Sequence, residues 1–298
     1  MSGQLKEVRE RISSVVNTQQ ITNAMKMVSA SKLRRAQDAI VQMRPYSQRL
    51  DAMLRNIMSN LEGDADASLG KARDVEKALV IVVTSNKGLC GAFNSNIIKA
   101  AVATINERFA DVRKSGNLSA LCVGKKGHEY FKKRYGDVNI IGEYVGIFSD
   151  LRFENVARIG QLAIEAYENG EYDAVTVCYG RFKNAGTQFP ETEQFLPVTK
   201  MESEKRAKKS RRHDYIFEPG KKELLDELIP TILKTTLHRY LLDTHASEHG
   251  ARMTAMGMAT ENAREMLKDL KISYNKARQE AITRELSEIV GGAAALQG

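Results

Sequence analysis

The chain has 298 residues, 42 % of them apolar but only 6 % aromatic, and no Trp. That length allows two domains at roughly 150 residues each, and so little aromatic volume argues against one compact enzyme core and for narrow helical seams of Leu, Ile, Ala and Met. A net charge of +8 implies an acidic partner (nucleic acid, anionic lipid or an acidic protein surface).

Three dispersed cysteines, Cys90, Cys122 and Cys178, form no CxxC pair. They suggest neither a disulfide framework nor a zinc site, and a reducing compartment is expected. No run of about 20 apolar residues is present to span a membrane. The first residues lead straight into a charged amphipathic pattern rather than a signal peptide.

Residues 3–61 read as one long helix. Leu5, Val8, Ile12 and Val15 are spaced three and four apart. Polar residues 17–20 interrupt the stripe, which is expected to resume as Ile21, Met25 and Val28. It then continues as Leu33, Ala36, Ile40, Met43, Ser47, Leu50, Leu54, Ile57 and Leu61, with Ser47 the one polar member. Alternating three-four spacing is a coiled-coil seam, and Pro45 should kink it.

The middle changes period. Residues 78–84 are a continuous apolar, β-branched run, as in a buried parallel strand. A loop at 86–91 precedes a helix over 97–109. A second strand is expected at 118–123, a basic helix around 128–135, a third strand at 138–144, a helix at 153–167 and a strand at 174–179. Strand–helix alternation argues an open α/β sheet. From 200 to 212, seven Lys and Arg accompany two Glu, reading as an exposed linker.

Residues 221–296 mirror the first segment. Met253, Met256, Thr260, Ala263, Leu267, Leu270, Tyr274, Ala277 and Ala281 alternate three and four, and the stripe then shifts by one to Ile282, Leu286, Ile289, Ala293 and Leu296. At about 1.5 Å per residue such a helix exceeds roughly 100 Å. Two such helices, each with one apolar seam, most simply pack antiparallel.

The short motifs weigh against chemistry. The loop 85–91 follows a strand and opens a helix, where α/β folds bind phosphate. Its Lys87 precedes both glycines, though, and no dinucleotide fingerprint follows, so a tight turn is the better reading. Cys90 has no base near it in sequence. His245 and His249 are four apart but lack a third ligand and the HExxH pattern. Residues 1–60 hold ten Lys and Arg against four Asp and Glu. With only Tyr46 interleaved, that charge suits an acidic protein better than nucleic acid.

Larger motifs carry a resemblance. YNKARQEAITRELSEIVGGAAAL at 274–296 resembles the signature of gamma subunits of F-type ATP synthases, with Thr283, Glu285 and Glu288 in its core. NTQQITNAMKMVSASKLRRAQ at 17–37, NKGLCGAFN at 86–94 and ASEHGARMTAMGMATENA at 246–263 match further segments of that family, so the resemblance covers essentially the whole chain. It implies a long antiparallel coiled coil of the terminal helices with a Rossmann-like open α/β domain. The parts would be a coiled-coil helix at 1–61, the α/β domain at 75–200, a basic linker at 201–220 and a coiled-coil helix at 221–298.

The resemblance also implies a central-stalk rotor carrying torque from the proton-driven c-ring to the catalytic beta subunits. The chain would hold no catalytic, cofactor or metal site. Its partners would be the alpha and beta subunits of the hexamer, the epsilon subunit and the c-ring, with no nucleic acid. Met25, Lys26, Lys32, Arg34 and Arg35 match the family region facing acidic beta-subunit loops, and Arg252, Gln279, Thr283, Glu285 and Glu288 match polar positions that bond to beta or couple the two helices. The chain would be peripheral, on the cytoplasmic face of a bacterial inner membrane. The Cys pair of chloroplast relatives is missing, so thiol switching is not expected. The competing readings are a nucleotide-binding enzyme with helical extensions and a free basic coiled-coil scaffold for nucleic acid or acidic proteins.

Overall fold

The computed structural model describes residues 2–59, 69, 73–198 and 221–297, excluding the side chains of 2–4, 48, 51–59, 221–226 and 294–297. The basic linker and the seam positions Leu54, Ile57 and Leu61 lie outside what is described. Helix α1 is Ser2–Ser59, and Pro45 lies inside it. Helix α6 is Lys221–Gln297, with Pro230 inside it.

Between them come strand β1 (Ala78–Val83), helix α2 (Phe93–Arg108), the short α3 (Ala110–Lys114), β2 (Leu118–Val123), α4 (Lys125–Arg134), β3 (Asn139–Ile141), α5 (Phe153–Glu168), β4 (Ala174–Asn184) and β5 (Thr187–Leu196). The chain divides into two compact units, 1–30 with 252–298 and 31–251.

In the larger unit five strands run in the order β3-β2-β1-β4-β5. β1 pairs parallel with both β2 and β4, and β2 pairs parallel with β3. The order 3-2-1-4-5 is that of the first five strands of a doubly wound dinucleotide fold, here with β5 reversed in direction. The apolar run of β1 follows from its place at the centre. Leu79, Ile81 and Val83 enter one core with α5, α6 and Leu50 of α1. Ala78, Val80 and Val82 enter a second with Phe93, Ile97, Ala101 and Ile105 of α2 and Phe131 of α4. Successive residues point to opposite faces, so a strand covered on both sides must be apolar throughout.

Strand β5 departs from the sequence reading, which ended the domain's strands near residue 179. It pairs antiparallel with β4 and lies at the end of the sheet. Its sequence TQFPETEQFL is polar, and Pro190 stands opposite Gly180. Residues 187–194 of this strand are exposed or half-buried, so it escapes the two-faced apolar demand that made β1 legible.

The smaller unit is a helix pair. Arg9 of α1 donates to the Tyr274 hydroxyl of α6 at 3.0 Å, and the hydroxyl of Thr260 donates to that of Thr22 at 2.9 Å. Going up α1 thus goes down α6, an antiparallel register. On α6 the expected seam holds, with Met256, Ala263 and Leu267 buried. On α1 it needs correction, because Ile21 and Val28 are 59 % and 57 % exposed while Thr22 and Ser29 are buried. The three-four count runs unbroken from Val15 through Gln19, Thr22, Met25 and Ser29 to Leu33. The seam turns polar there, and following hydrophobicity instead of spacing steps off the buried face.

Candidate partner interface and helix anchorage

The expected interface residues occupy two helices. On α1, Lys26, Lys32, Arg34 and Arg35 are exposed and Met25 is half-buried. On α6, Gln279, Thr283, Glu285 and Glu288 are exposed while Arg252 is buried. The structure therefore leaves every one of these except Arg252, and in part Met25, accessible to a partner. Thr283 donates its hydroxyl to the Gln279 carbonyl within the helix, at 2.9 Å.

Where α1 starts, α6 loses its partner helix. The register set by Arg9–Tyr274 and Thr22–Thr260 runs α1 out opposite about Ala281. The apolar residues that follow, Ile282, Leu286, Ile289 and Val290, are 48–68 % exposed. This is the stripe that shifts by one in the sequence. Arg9 is held as a stronger base than usual, chiefly by its bond to the Tyr274 hydroxyl.

Helix α6 is fastened to the sheet and α5 along 229–250. A ring nitrogen of His238 meets the Leu151 carbonyl at 2.9 Å. Gly160 of α5 lets Lys234 and Leu237 approach, since a Cβ there would meet Lys234 Cγ at 3.2 Å. Tyr240 stacks on Tyr179 of β4 at 4.2 Å between ring centroids, and both hydroxyls donate to Glu193 of β5. Burial first, and Glu193 second among the causes, push both phenols well above the ordinary tyrosine range.

One turn further, the Gly180 N–H donates to Thr244 Oγ1 at 3.2 Å and Ser247 Oγ donates to the Gly180 carbonyl at 3.0 Å. Gly250 then sits on the β4–β5 turn, where a Cβ would come within 3.2 Å of Ala185 Cα. Asp243, beside this stretch, is raised to about 6 by burial, partly countered by Arg239, Arg181 and Arg44. None of these anchors was read from the sequence. The one signal was a helix stretch that supplies small residues, Thr244, Ala246, Ser247, Gly250 and Ala251, between larger ones.

The glycine loop closes on itself. Asn94 of α2 accepts from the Ser85 N–H at 2.9 Å and donates to Ser85 Oγ and Cys90 Sγ, and Ser85 Oγ donates to the Lys87 carbonyl. Gly91 has φ +57°, so the turn itself requires a glycine. His245 and His249 bring ring nitrogens within 3.1 Å of each other. Among the described residues no group of three or more His, Cys, Asp or Glu is placed to hold a metal.

A family model for ATP synthase matches residues 4–296. The ATP synthase gamma chain of Cytophaga hutchinsonii is 51 % identical over 292 residues, 98 % of each chain. The chain belongs to the ATP synthase gamma chain family. The gamma chain of Flavobacterium psychrophilum is 49 % identical over 99 % of both chains. The solved rotor of the Euglena gracilis mitochondrial ATP synthase covers 95 % of this chain and 100 % of its own at TM-score 0.63 and 20 % identity, a likeness of fold.

Gamma chains are non-catalytic subunits of the synthase, catalysis lying in the beta subunits. Membership sets aside both the nucleotide-binding enzyme and the free nucleic-acid scaffold. It places the chain in a membrane-associated complex. Among the described residues no helix is long and apolar enough to cross a membrane.

Proposed function

We propose that the chain is the central-stalk shaft that carries torque from the proton-driven c-ring to the catalytic beta subunits. The observation that carries this reading is identity of 51 % across 98 % of the length of a gamma chain. On this reading its working parts are the helix of 1–61, the α/β domain of 75–200, the linker of 201–220 and the helix of 221–298.

Its partners are the alpha and beta subunits, the epsilon subunit and the c-ring. The exposed cations Lys26, Lys32, Arg34 and Arg35, with Met25, face acidic loops of beta. Arg252, Gln279, Thr283, Glu285 and Glu288 bond to beta or couple the helices. Exposure of all but Arg252 and Met25 supports the first role, and the burial of Arg252 supports the second for that residue. The unpaired apolar end of α6 fits a bearing, because contacts without charge or hydrogen bonds have no preferred angle. Bacterial relatives such as those of Cytophaga and Flavobacterium support placement on the cytoplasmic face of an inner membrane.

Reconstitution tests the reading. Purified alpha and beta subunits are mixed with this chain or with a version ending at Asn275. A hexamer with multi-site ATP hydrolysis only when the chain is present, and weaker coupling on truncation, is the expected result. A chain that neither joins the hexamer nor alters its turnover sinks the reading.

A further inference from the structure

We propose that Thr244 and Ser247 of α6, with Gly180 of β4, form a force-transmitting lock that stops α6 from slipping on the sheet when the shaft turns. The inference rests on the rotor reading above.

Turning force generated at one end of such a protein must pass between the globular domain and the helix. The apolar contacts of α6, through Ile229, Ile232, Leu233, Leu237 and Leu241, hold it against the sheet. They are non-directional, however, and resist sliding weakly. Hydrogen bonds to a fixed backbone are directional. Gly180 supplies them because β1 has already ended. The β1–β4 ladder runs only to Val82–Cys178, so Gly180 has lost its neighbour on that side.

The hydroxyls of α6 take the place of that strand. Thr244 gives its own proton to the Tyr240 carbonyl at 2.8 Å, which leaves a lone pair aimed at the Gly180 N–H. Ser247, one turn on, donates to the Gly180 carbonyl. Thr244, Ser247 and Gly180 are all buried. A shift of α6 by one residue, about 1.5 Å, would strand both backbone groups of Gly180 without water or partner.

Glycine is required at the lock. A Cβ on residue 180 would meet Phe93 of α2 at 2.7 Å, and its lack lets strand, α2 and α6 converge. Tyr240–Glu193 on one side and Gly250–Ala185 on the other bracket the same stretch of helix.

The test uses the whole synthase in liposomes, carrying wild-type chain, S247A, T244V/S247A or T244S. ATP hydrolysis without a gradient is compared with protons pumped per ATP against an opposing gradient, and amide exchange is followed in the peptide holding Gly180. The lock predicts near-normal unloaded hydrolysis in T244V/S247A. Loaded pumping per ATP should fall several-fold and Gly180 exchange should rise at least about tenfold, while T244S, which keeps the hydroxyl, should match wild type in both. If the double variant fails to assemble, S247A alone must show the loss under load.

Pumping under load equal to wild type, or unchanged Gly180 exchange, overturns the lock. Failure of the rotor reading looks different, because the wild-type chain itself would then give no hexamer and no pumping.

Discussion

The Thr260 hydroxyl donates to the Thr22 hydroxyl across the helix pair at 2.9 Å, a polar rung where a coiled coil normally places apolar side chains. Thr22 gives its own proton to the Gln19 carbonyl and accepts from Thr260, whose single proton is shared between Thr22 and the Met256 carbonyl. Removing one hydroxyl should therefore cost only about 0.5–1.5 kcal/mol. T22V/T260V should cost less than the sum of the single variants, because no polar partner is left behind. Urea unfolding of the three variants decides it, and strict additivity would show the hydroxyls act independently.

Two glycines should respond oppositely to alanine. At Gly124, φ is +99° and a Cβ would lie 2.1 Å from the Thr84 carbonyl oxygen, so G124A should destabilise the α/β domain by more than about 4 kcal/mol. Gly257 lies within α6, where a Cβ would meet only the Lys26 side chain at 3.8 Å. G257A should stabilise by up to about 1 kcal/mol through helix propensity. Thermal melts of the isolated variants read both signs.

Asp243 gives a pH signature. Its carboxyl is held at about 6 by burial, above its ordinary value of 3.8. The folded chain therefore keeps a proton that the unfolded chain releases between those values, and stability falls as pH rises from about 4 to 6. The contribution is at most about 3 kcal/mol, with the relief from Arg239 and Arg181 already contained in the shift. D243N should flatten the slope of unfolding free energy between pH 4 and 6.5. An unchanged slope would assign the titration elsewhere.

The exposed cations of α1 should act on encounter more than on stability. K32E/R34E/R35E should slow association with the alpha–beta hexamer by about tenfold or more at low salt. The deficit should shrink as salt shortens the screening length toward about 3 Å near 1 M. Stopped-flow binding at several ionic strengths checks this, and a salt-independent deficit would indicate a folding defect instead.

How far the sequence was legible follows from what each residue must satisfy. The run 78–83 announced itself because both of its faces are covered, and the seam of α6 because its members are apolar at strict spacing. The seam of α1 was misread at Ile21 and Val28 because its true members there, Thr22 and Ser29, satisfy their hydroxyls on the helix backbone and need no apolar label. Strand β5 and the Gly180 lock were invisible for a related reason. The side chains of β5 are mostly polar and carry no apolar pattern, and the polar groups of the lock meet only after folding, across 64 and 67 residues of sequence. Of the interface residues, spacing alone indicated nothing, and family resemblance supplied them.

Both backbone groups of Gly180 turn toward α6, so its opposite number on the edge strand, Pro190, directs its ring nitrogen away from β4 and out to solvent. That nitrogen carries no hydrogen. A stray extended peptide approaching the open side of the sheet finds a missing donor in the middle of the strand. A subunit made separately from its partners must wait in solution before assembly, and this rung removes one route by which waiting copies could zip together.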